Sequence, residues 1–565
     1  MRLSQYLFST SRQSSKEAEY LSHKLMLRAG LIKRFAAGIY SYLPLGYRVL
    51  AKISSVIEYE MDRIGAQRLL LPFLQPAHLW KKSGRWENYG EELVRFQDRK
   101  EAEFALGPTH EEMITQLVKE EVRSHKRLPF TLYQIQTKFR DELRPRGGVI
   151  RAREFLMKDA YSFCRNKEEL ASVYQKMRKA YERIFSRCGL DYRVVEAESG
   201  PIGGKVSQEF IALATSGEDK IVLCPRCGYA AKLEKAEYEL LEEAQNELKT
   251  VKEVSTPNTS TVKKVSQFLH CEPKDILKTI FYQTENGMIA ALIRGDHQIN
   301  EAKLKSLLKV KKLAIAGDNL IKEQIGVDPG FIGPVGLDKY QLIVDNTIMR
   351  SQNLVAGANR KDTHLLNVNA GRDFQPAIIG DIGFPLSGDA CPVCKSQMEI
   401  RRGIEIGHLF QLGDLYSRSL KATFLNKKGE RNYFSMGCYG IGVSRLPAAI
   451  IEQNHDSQGI IWPPEITPFQ AVVIPTSQKT LKATQGIYQD LTDHGVETLW
   501  DDRDVTAGVK FNDADLVGLP FKVIVGDTFL EEDRIEIKTR REAKTEKVRK
   551  NMISQRMREL IANAK

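Results

Sequence analysis

The sequence predicts a protein of several α+β and α/β domains. Residues 131–140 and 153–163 have the pattern of strands and are separated by a short, basic, glycine-containing loop, which is typical of an antiparallel hairpin. Beyond residue 468, strand-like and helix-like segments alternate, which favours a small α/β domain with a largely parallel sheet. At 565 residues, the chain is long enough for three or four domains.

Other segments extend this prediction along the chain. Residues 46–64 have helical apolar spacing and lead into an apolar, strand-like run at 65–72. Residues 110–124 predict another helix. The polar stretch 253–264 predicts a linker, and residues 265–380 after it have the composition of an independent α/β unit.

Composition and charge restrict the class of protein. The chain has 84 basic and 72 acidic side chains, a formal net charge of +12. It has no apolar run long enough to cross a bilayer and no signal-peptide pattern at its N-terminus, so we expect a cytoplasmic protein with no membrane partner. Residues 538–565 form a basic tail that indicates contacts with a polyanion such as RNA, or else a solvated basic helix.

The predicted hairpin carries the strongest candidate site. Arg140 ends the first strand, and Glu142 follows two residues later on the same face. Arg151 and Phe155 lie on the returning side of the hairpin. Guanidinium groups are bidentate partners for phosphate, and an aromatic ring beside them can stack a base. The residues indicate a nucleotide site, and the alternative is an edge hairpin with solvated arginines.

A second candidate segment is the glycine-rich stretch 436–450. Its glycines permit close packing at a strand-to-helix junction, and Arg445 lies early in the following helix, where it could bind outer phosphates. The alternative is a structural turn with a surface arginine. The sequence lacks the GxxxxGK[ST] pattern, so a P-loop nucleotide site is excluded.

Four of the eight cysteines form two CxxC pairs, Cys224 with Cys227 and Cys391 with Cys394. Folding back of the intervening chain would bring the pairs together, and their spacing is that of a structural zinc site. The long separation of the pairs is not that of a zinc finger. Reduced thiols without metal therefore remain the alternative.

Three segments together resemble motifs 1, 2 and 3 of the class II aminoacyl-tRNA synthetases. They are GAQRLLLP at 65–72, KFRDELRPRGGVIRAREF at 138–155 and MGCYGIGVSRLPAAI at 436–450. GPTHEE at 107–112 and EIGHLFQLG at 405–413 resemble the prolyl enzymes of the bacterial type, and the resemblance covers nearly the whole chain. It implies an antiparallel-sheet catalytic core, an α/β editing insertion and an α/β C-terminal anticodon-binding domain.

The resemblance also implies domain boundaries. The expected segments are the first part of the catalytic domain at 1–224, the insertion with the editing domain at 225–390, the second catalytic part at 391–467, and the anticodon-binding domain with the basic tail at 468–565.

The implied activity is the two-step attachment of L-proline to tRNA(Pro) through a prolyl-adenylate, with ATP and Mg²⁺ and as a homodimer. Arg140, Glu142 and Arg445 would be the catalytic residues. The residues implied for proline are Thr109, Glu111, Arg140, His408 and Cys438. Those implied for ATP are Arg140, Glu142, Arg151, Phe155, Glu405, Gln411 and Arg445, with Glu405 and Gln411 also candidates for magnesium. Arg144 and Arg146 would contact the acceptor end of tRNA.

The insertion resembles a domain that hydrolyses mischarged alanyl-tRNA(Pro). The resemblance implies that Lys278 holds the terminal phosphate of the tRNA, and that Asp345 and His364 position the ester or the attacking water.

Two rival functions are weighed against this one. The first is another enzyme of the same subclass, such as the threonyl enzyme, which GPTHEE, GCYGIG and the lack of zinc-ligating Cys and His in the catalytic segments disfavour. The second is a non-catalytic, synthetase-like binding protein. Retention of Arg140, Glu142, Phe155 and Arg445 disfavours that one.

Overall fold

The computed structural model describes residues 1–13, 18–197, 202–204, 206–240, 247–542 and 544–564. The chain divides into two compact units, Met1–Asp219 together with Arg402–Lys565, and the inserted unit Lys220–Arg401. Within the described residues, no helix is both long and apolar enough to span a membrane.

The described part of the first stretch of the chain contains six α-helices and five strands of the central sheet of the first unit. Its helices are α1 (Leu21–Arg28), α2 (Pro44–Arg63), α3 (Ala77–Ser83), α4 (Arg85–Asn88), α5 (Glu111–Glu121) and α6 (Lys167–Arg187). Its strands are β1 (Ile32–Ala36), β2 (Ile39–Tyr42), β3 (Gln67–Arg68), β4 (Leu74–Pro76), β5 (Arg95–Gln97), β6 (Glu103–Leu106), β7 (Phe130–Phe139), β8 (Glu154–Cys164), β9 (Tyr192–Glu196) and β10 (Val206–Leu213).

The inserted stretch has its own strands and short helices. The strands are β11 (Asp219–Leu223), β12 (Ala230–Lys232), β13 (Lys252–Ser255), β14 (Leu277–Thr284), β15 (Gly287–Arg294), β16 (Leu313–Ile315), β17 (Gln341–Asp345), β18 (Leu354–Gly357), β19 (Thr363–Val368) and β20 (Ile378–Gly380). The helices are α7 (Val262–Leu269), α8 (Glu301–Leu308), α9 (Asp318–Ile325) and α10 (Asn346–Arg350).

The last stretch completes the first unit. Its strands are β21 (Glu399–Gly413), β22 (Thr423–Leu425), β23 (Arg431–Tyr433), β24 (Ser435–Ile441), β25 (Ala471–Pro475), β26 (Thr498–Trp500), β27 (Phe521–Val525), β28 (Arg534–Thr539) and β29 (Thr545–Arg549). Its helices are α11 (Leu415–Ser419), α12 (Leu446–Gln453), α13 (Leu481–Asp493), α14 (Ala507–Val517), α15 (Asp527–Glu532) and α16 (Ile553–Ala564).

The central sheet of the first unit runs in the order β9-β10-β21-β24-β8-β7-β3 and is antiparallel except for the short β3–β7 pair. The predicted hairpin is observed: β7 and β8 pair antiparallel, with Lys138 opposite Phe155. Helix α6 covers this sheet with a face of buried residues that includes Tyr181 and Phe185. The apolar run 65–72 contributes only the two residues of β3, and Leu70 is 72% exposed.

The insertion contains a five-stranded sheet of order β16-β14-β15-β17-β20 and a three-stranded sheet of order β13-β19-β18. The linker predicted at residues 253–264 is wrong, because β13 pairs with β19 there and α7 begins at Val262. The side chains of β13 are mostly exposed, as is usual for an edge strand, so its composition resembles that of a linker.

The C-terminal sheet has the order β26-β25-β27-β28-β29. β25 pairs parallel with β26 and β27, while β28 and β29 continue antiparallel. Residues 538–565 are therefore not an appended tail. They include part of β28, β29 and α16, and Met557 of α16 is buried in the hydrophobic core.

Candidate active site

Two adjoining cavities lie where β7 ends and β8 begins. The inner cavity, of about 250 Å³, has Thr109, His408 and Cys438 in its wall. The outer cavity, of about 280 Å³, has Glu142 and Arg151 in its wall. The two walls share Arg140, Phe155, Glu405, Gly442 and Arg445. The two arginines that sequence reasoning singled out therefore lie at the boundary between the cavities.

Arg140 follows directly after β7, and its N–H donates to the carbonyl of Arg153 at 2.9 Å, which closes the hairpin. Its guanidinium carbon lies 5.3 Å from the centre of the Phe155 ring, and Nη2 donates to the carbonyl of Pro108 at 3.4 Å. Its Nε is buried without a hydrogen-bond partner among the described residues. A guanidinium with an unused donor between two cavities is suited to an anionic ligand.

Arg445 lies in a short 3₁₀ turn between β24 and α12. Its Nε donates to the carbonyl of Ile150 at 2.8 Å, and Nη1 donates to the carbonyl of Glu405 at 2.6 Å. Nη1 also lies 3.4 Å from a carboxylate oxygen of Glu405. These contacts hold the Arg445 side chain against Ile150 and Glu405, in the wall that both cavities share.

Thr109 and Glu111 stand before and at the start of α5. The Thr109 hydroxyl donates to Glu111 Oε2 at 2.5 Å, and the Cys438 thiol donates to Glu111 Oε1 at 3.1 Å. Glu111 is completely buried and is absent from the described residues of the inner cavity wall. It therefore reaches the cavity through Thr109 and Cys438, which both lie in the wall.

Arg85 is a site residue that sequence reasoning missed. Its Nη1 lies 3.2 Å from Glu111 and 3.1 Å from Glu112. The segment around it, GRWENY, contains no signal for this role, because the carboxylates are 26 and 27 residues away in the sequence.

His408 lies on β21, opposite Gly440 of β24. Its Nε2 is 2.5 Å from the Ser207 hydroxyl, and its ring stacks on Phe410 with centroids 3.8 Å apart. The ring is therefore held from two sides at the wall of the inner cavity.

A buried polar network lies beneath the inner cavity. Lys138 Nζ lies 2.9 Å from Asp159 and 2.7 Å from His110 Nδ1. The Tyr161 hydroxyl donates to Asp159 at 2.8 Å, and Gln134 donates to it at 2.9 Å. Burial and the nearby Lys138 lower the pKa of His110 to about 4, so the imidazole is neutral at physiological pH. The network therefore supports the wall of the inner cavity, to which Asp159 itself belongs.

Of the other residues predicted to bind ATP, Glu142 and Arg151 lie in the wall of the outer cavity and form an ion pair. Glu142 accepts from Arg151 Nε at 2.7 Å, and Arg151 also donates to Glu218 at 3.0 Å. Burial alone would raise the pKa of Glu142, but the hydrogen bonds from Arg151 and the Arg144 N–H hold it below its ordinary value. Gln411 is absent from the described residues of both cavity walls.

Arg144 and Arg146 lie in the loop between β7 and β8 and are exposed. Arg146 forms an ion pair with Glu218. Both side chains are therefore accessible near the mouth of the outer cavity, whose wall includes Glu142 and Glu218.

The four paired cysteines come together in the inserted unit. Cys224 Sγ is 3.5 Å from Cys394 Sγ, Cys227 Sγ is 3.6 Å from Cys391 Sγ, and all four sulphur atoms lie within 4.8 Å of one another. A disulfide requires sulphur atoms about 2 Å apart, so the four are free thiols in this arrangement.

A third cavity, of about 350 Å³, lies inside the insertion. Lys278 and His364 are both in its wall. His364 Nδ1 is 2.6 Å from the Thr256 hydroxyl, and burial lowers the pKa of this imidazole. Gly357 is also in the wall, and a Cβ there would lie 2.3 Å from the backbone of Phe331, so only glycine fits without displacement.

Asp345 is not brought together with Lys278 and His364. It is completely buried, accepts from the backbone N–H groups of Thr347 and Ile382, each at 3.0 Å, and is absent from the described residues of this cavity wall. Its carboxylate caps the N-terminus of α10, which leaves it no access to a ligand in the cavity.

The core of the chain defines its class. Residues 94–454 match the tRNA synthetase class II core domain (G, H, P, S and T), and residues 470–560 match an anticodon binding domain. The antiparallel sheet with its hairpin and glycine-rich third motif is thus that of a class II aminoacyl-tRNA synthetase, which is a ligase.

Comparison with individual proteins narrows the family. The chain is 49% identical to the proline--tRNA ligase of Syntrophus aciditrophicus over 97% of this chain and 96% of the relative. It is 50% identical to that of Geobacter metallireducens over 96% of this chain and 95% of the relative. The chain belongs to the family of proline--tRNA ligases.

A solved structure shares the fold at low sequence identity. The prolyl-tRNA synthetase of Cryptosporidium parvum, crystallised with halofuginone and AMPPNP, has a TM-score of 0.58 and 13% identity. The match covers 96% of this chain and 77% of that protein.

Proposed function

We propose that the inner cavity binds L-proline and the outer cavity binds ATP, and that the reaction takes place at the boundary which Arg140 and Arg445 share. The observation that carries this proposal is that the walls of two adjoining cavities have both arginines in common. A carboxylate in one cavity and an α-phosphate in the other would meet there.

Proline is held at both of its charged ends in this proposal. Because the Thr109 hydrogen points to Glu111, its oxygen is left to accept from the protonated ring nitrogen. Arg140 is the partner for the carboxylate. His408 and Cys438 bound the ring in the cavity wall.

ATP is held by cations and by stacking. Phe155 provides a ring for the adenine, and Arg140 and Arg445 bind phosphate oxygens. Arg151 and Glu142 form an ion pair in the same wall and would orient the nucleotide. Gln411 is at most an indirect contributor, since it lies outside the described walls.

Magnesium ions would neutralise phosphate charge when bound with ATP. Oxygen ligands suit this ion, and Glu405 offers a partly exposed carboxylate in the wall common to both cavities.

In the first reaction step, the chain's own residues act by positioning the substrates and by neutralising charge. The proline carboxylate oxygen bonds to the α-phosphorus, the bond to the bridging oxygen breaks, and diphosphate leaves with its electron pair.

The second step needs the terminal ribose of tRNA(Pro) at the same boundary. Arg144 and Arg146 are exposed in the motif 2 loop and would contact the acceptor end. The basic β28, β29 and α16 region would contribute phosphate contacts beside the anticodon. We further propose that the protein works in the cytoplasm, because charging requires access to tRNA, and that it is a homodimer. The proposed functional domains are residues 1–224, 225–390, 391–467 and 468–565.

The inserted cavity is proposed to hydrolyse alanyl-tRNA(Pro). Lys278 and His364 share one wall, with room for a small aminoacyl group. A proline pocket discriminates only weakly against alanine, because missing methylene contacts cost only about 1–3 kcal/mol. Asp345 is left with a structural role as the cap of α10.

The cysteine cluster is proposed to bind one structural zinc ion. Tetrahedral thiolate coordination with Zn–S bonds of about 2.3 Å places sulphur atoms about 3.8 Å apart. The four sulphur atoms lie within 4.8 Å of one another with contacts of 3.5 and 3.6 Å, so the donor set fits this ion. The ion would join the two ends of the inserted chain.

ATP–diphosphate exchange in the presence of proline tests the assignment of the two cavities. We expect Arg140→Ala to lower the proline-dependent exchange rate by about a hundredfold or more, since it removes a preorganised donor to developing charge. Arg178→Ala, which removes a partly exposed arginine of α6, is the matched control. Full exchange by Arg140→Ala would contradict the assignment.

A further inference from the structure

Arg85 begins the short helix α4 and is only 7% exposed. Its Nη1 contacts Glu111 Oε2 at 3.2 Å and both carboxylate oxygens of Glu112 at 3.1 Å. Both glutamates are completely buried in the first turn of α5. One guanidinium therefore serves two buried carboxylates directly behind the inner cavity.

The guanidinium is also enclosed by aromatic rings. Its carbon lies 4.9 Å from the centre of the Trp80 ring, 5.0 Å from that of Tyr89 and 5.4 Å from that of Tyr416. Aromatic faces attract a cation and exclude water from it. The side chain is thus held in one orientation by rings from α3, α11 and the residue that follows α4.

Glu111 connects Arg85 to the wall of the inner cavity. Glu111 accepts hydrogen bonds from the Thr109 hydroxyl and the Cys438 thiol, both of which are wall residues of the inner cavity. A neutral, protonated Glu111 would be a weaker hydrogen-bond acceptor, so the Thr109 hydroxyl would no longer be held with its hydrogen towards Glu111. The direction of the Thr109 hydroxyl therefore depends on the charge of Glu111.

The two glutamates respond differently to their surroundings. Burial alone would raise the pKa of Glu111, but Arg85 and the hydrogen bonds from Thr109 and Cys438 hold it below its ordinary value. Burial raises the pKa of Glu112, despite the same arginine. Glu111 is thus the more acidic carboxylate of the pair.

We propose that Arg85 is a positioning residue for substrate selection: its guanidinium holds the Glu111 carboxylate in place, so that the Thr109 hydroxyl donates to Glu111 and presents its oxygen as an acceptor to the positively charged ring nitrogen of proline. The proposal rests on the assignment of Thr109 and Glu111 to the proline nitrogen. Arg85 itself does not reach the substrate. Its effect passes through Glu111 to Thr109, and it concerns the ammonium end of proline rather than the carboxylate.

The test compares proline with tetrahydrofuran-2-carboxylate, in which an ether oxygen replaces the ring nitrogen. Arg85→Met should raise the KM for proline in ATP–diphosphate exchange by about ten- to a hundredfold, the loss expected for a charge-assisted contact. The KM for ATP and the inhibition constant of the analogue should stay within about threefold of the wild-type values, since neither depends on an acceptor for the nitrogen.

Two further variants separate positioning from folding. Arg85→Lys keeps the charge but loses the planar guanidinium that the three aromatic rings hold in place, so it should show an intermediate loss of preference for proline over the analogue. Arg95→Met removes an arginine that also lies over a tryptophan, 5.4 Å from the Trp86 ring, but bonds main-chain carbonyls instead of these glutamates. It should leave the preference unchanged.

The outcomes are distinct. A selective loss of proline binding in Arg85→Met, or in Arg85→Lys if the methionine variant does not fold, supports the proposal. Equal weakening of proline, analogue and ATP, or an unchanged preference for proline, overturns it. If the wild-type protein shows no exchange with proline, the assignment of the cavities fails instead.

Discussion

At the scale of single residues, the charged side chains beneath the cavities are those that sequence could least predict. Lys138 and Asp159 belong to adjacent strands, and Arg85 meets Glu111 from another helix. Arg140, Phe155 and Arg445 were singled out from the sequence because each lies in a local motif, and the structure places all three in the walls of both cavities. A pair formed by tertiary contact leaves no local signal of this kind.

Lys158 provides a residue-scale prediction about pH. It is completely buried on β8, and its Nζ donates to the Tyr181 hydroxyl at 2.7 Å. Burial lowers the pKa of Lys158 to about 7. The folded state therefore binds fewer protons than the unfolded state between about pH 7 and pH 10, so this lysine makes stability increase as pH rises through that window.

Lys158→Met removes this contribution. The thermal midpoint of the variant minus that of the wild type should decrease steadily from about pH 7 to about pH 10, as measured by differential scanning calorimetry. Lys167→Met, at the exposed start of α6, controls for the loss of a lysine. A difference that does not change with pH would contradict the assignment of a neutral Lys158.

At the scale of elements, strands and helices were predicted correctly where the spacing of apolar residues fitted only one type of secondary structure. The hairpin at 131–163 and the helix now seen at Pro44–Arg63 follow from periodicity. The strand predicted at 65–72 is nearly absent, because this run pairs with β7 only at Gln67 and Arg68. The linker prediction failed at β13, where an exposed edge strand has a polar composition.

The joined CxxC elements predict a bound metal. Wild-type protein purified without chelator should contain about one zinc ion per chain, as measured by elemental mass spectrometry. The Cys391→Ser variant should contain no zinc and should have a lower thermal midpoint of unfolding. Cys271→Ser changes a cysteine of the same unit outside the cluster and should keep both. Metal-free protein of unchanged stability would remove the zinc proposal.

The insertion predicts a separable hydrolytic activity. The protein should deacylate alanyl-tRNA(Pro) and spare prolyl-tRNA(Pro), and Lys278→Ala should lose this deacylation while proline-dependent exchange remains, because Lys278 lies in the cavity of the insertion. Lys305→Ala, on the exposed face of α8, is the control. Persistence of alanyl-tRNA(Pro) with the wild-type protein would exclude the activity.

At the scale of the whole molecule, long-range contacts tie distant parts of the first unit together. The N-terminal residues lie along the edge of the C-terminal sheet, where Arg2 bridges to Trp500 and pairs with Asp502 at 2.7 Å. Arg540 of the C-terminal sheet donates to Asp456, which lies just after α12, at 2.5 and 2.6 Å. The first pair joins residues 500 positions apart and the second joins residues 84 positions apart, so periodicity and spacing could not predict them.

The most direct test of the function is ATP–diphosphate exchange by the wild-type protein with L-proline, L-threonine, L-serine and L-histidine in turn. The inner cavity has an acceptor behind Thr109 and a guanidinium at its boundary, and its wall also contains Met157, Ile406 and Phe410. These apolar side chains suit the apolar ring of proline better than the polar side chains of the other three amino acids, so exchange with proline should far exceed exchange with them. Exchange driven best by threonine, or no exchange with any of the four, would contradict the assignment.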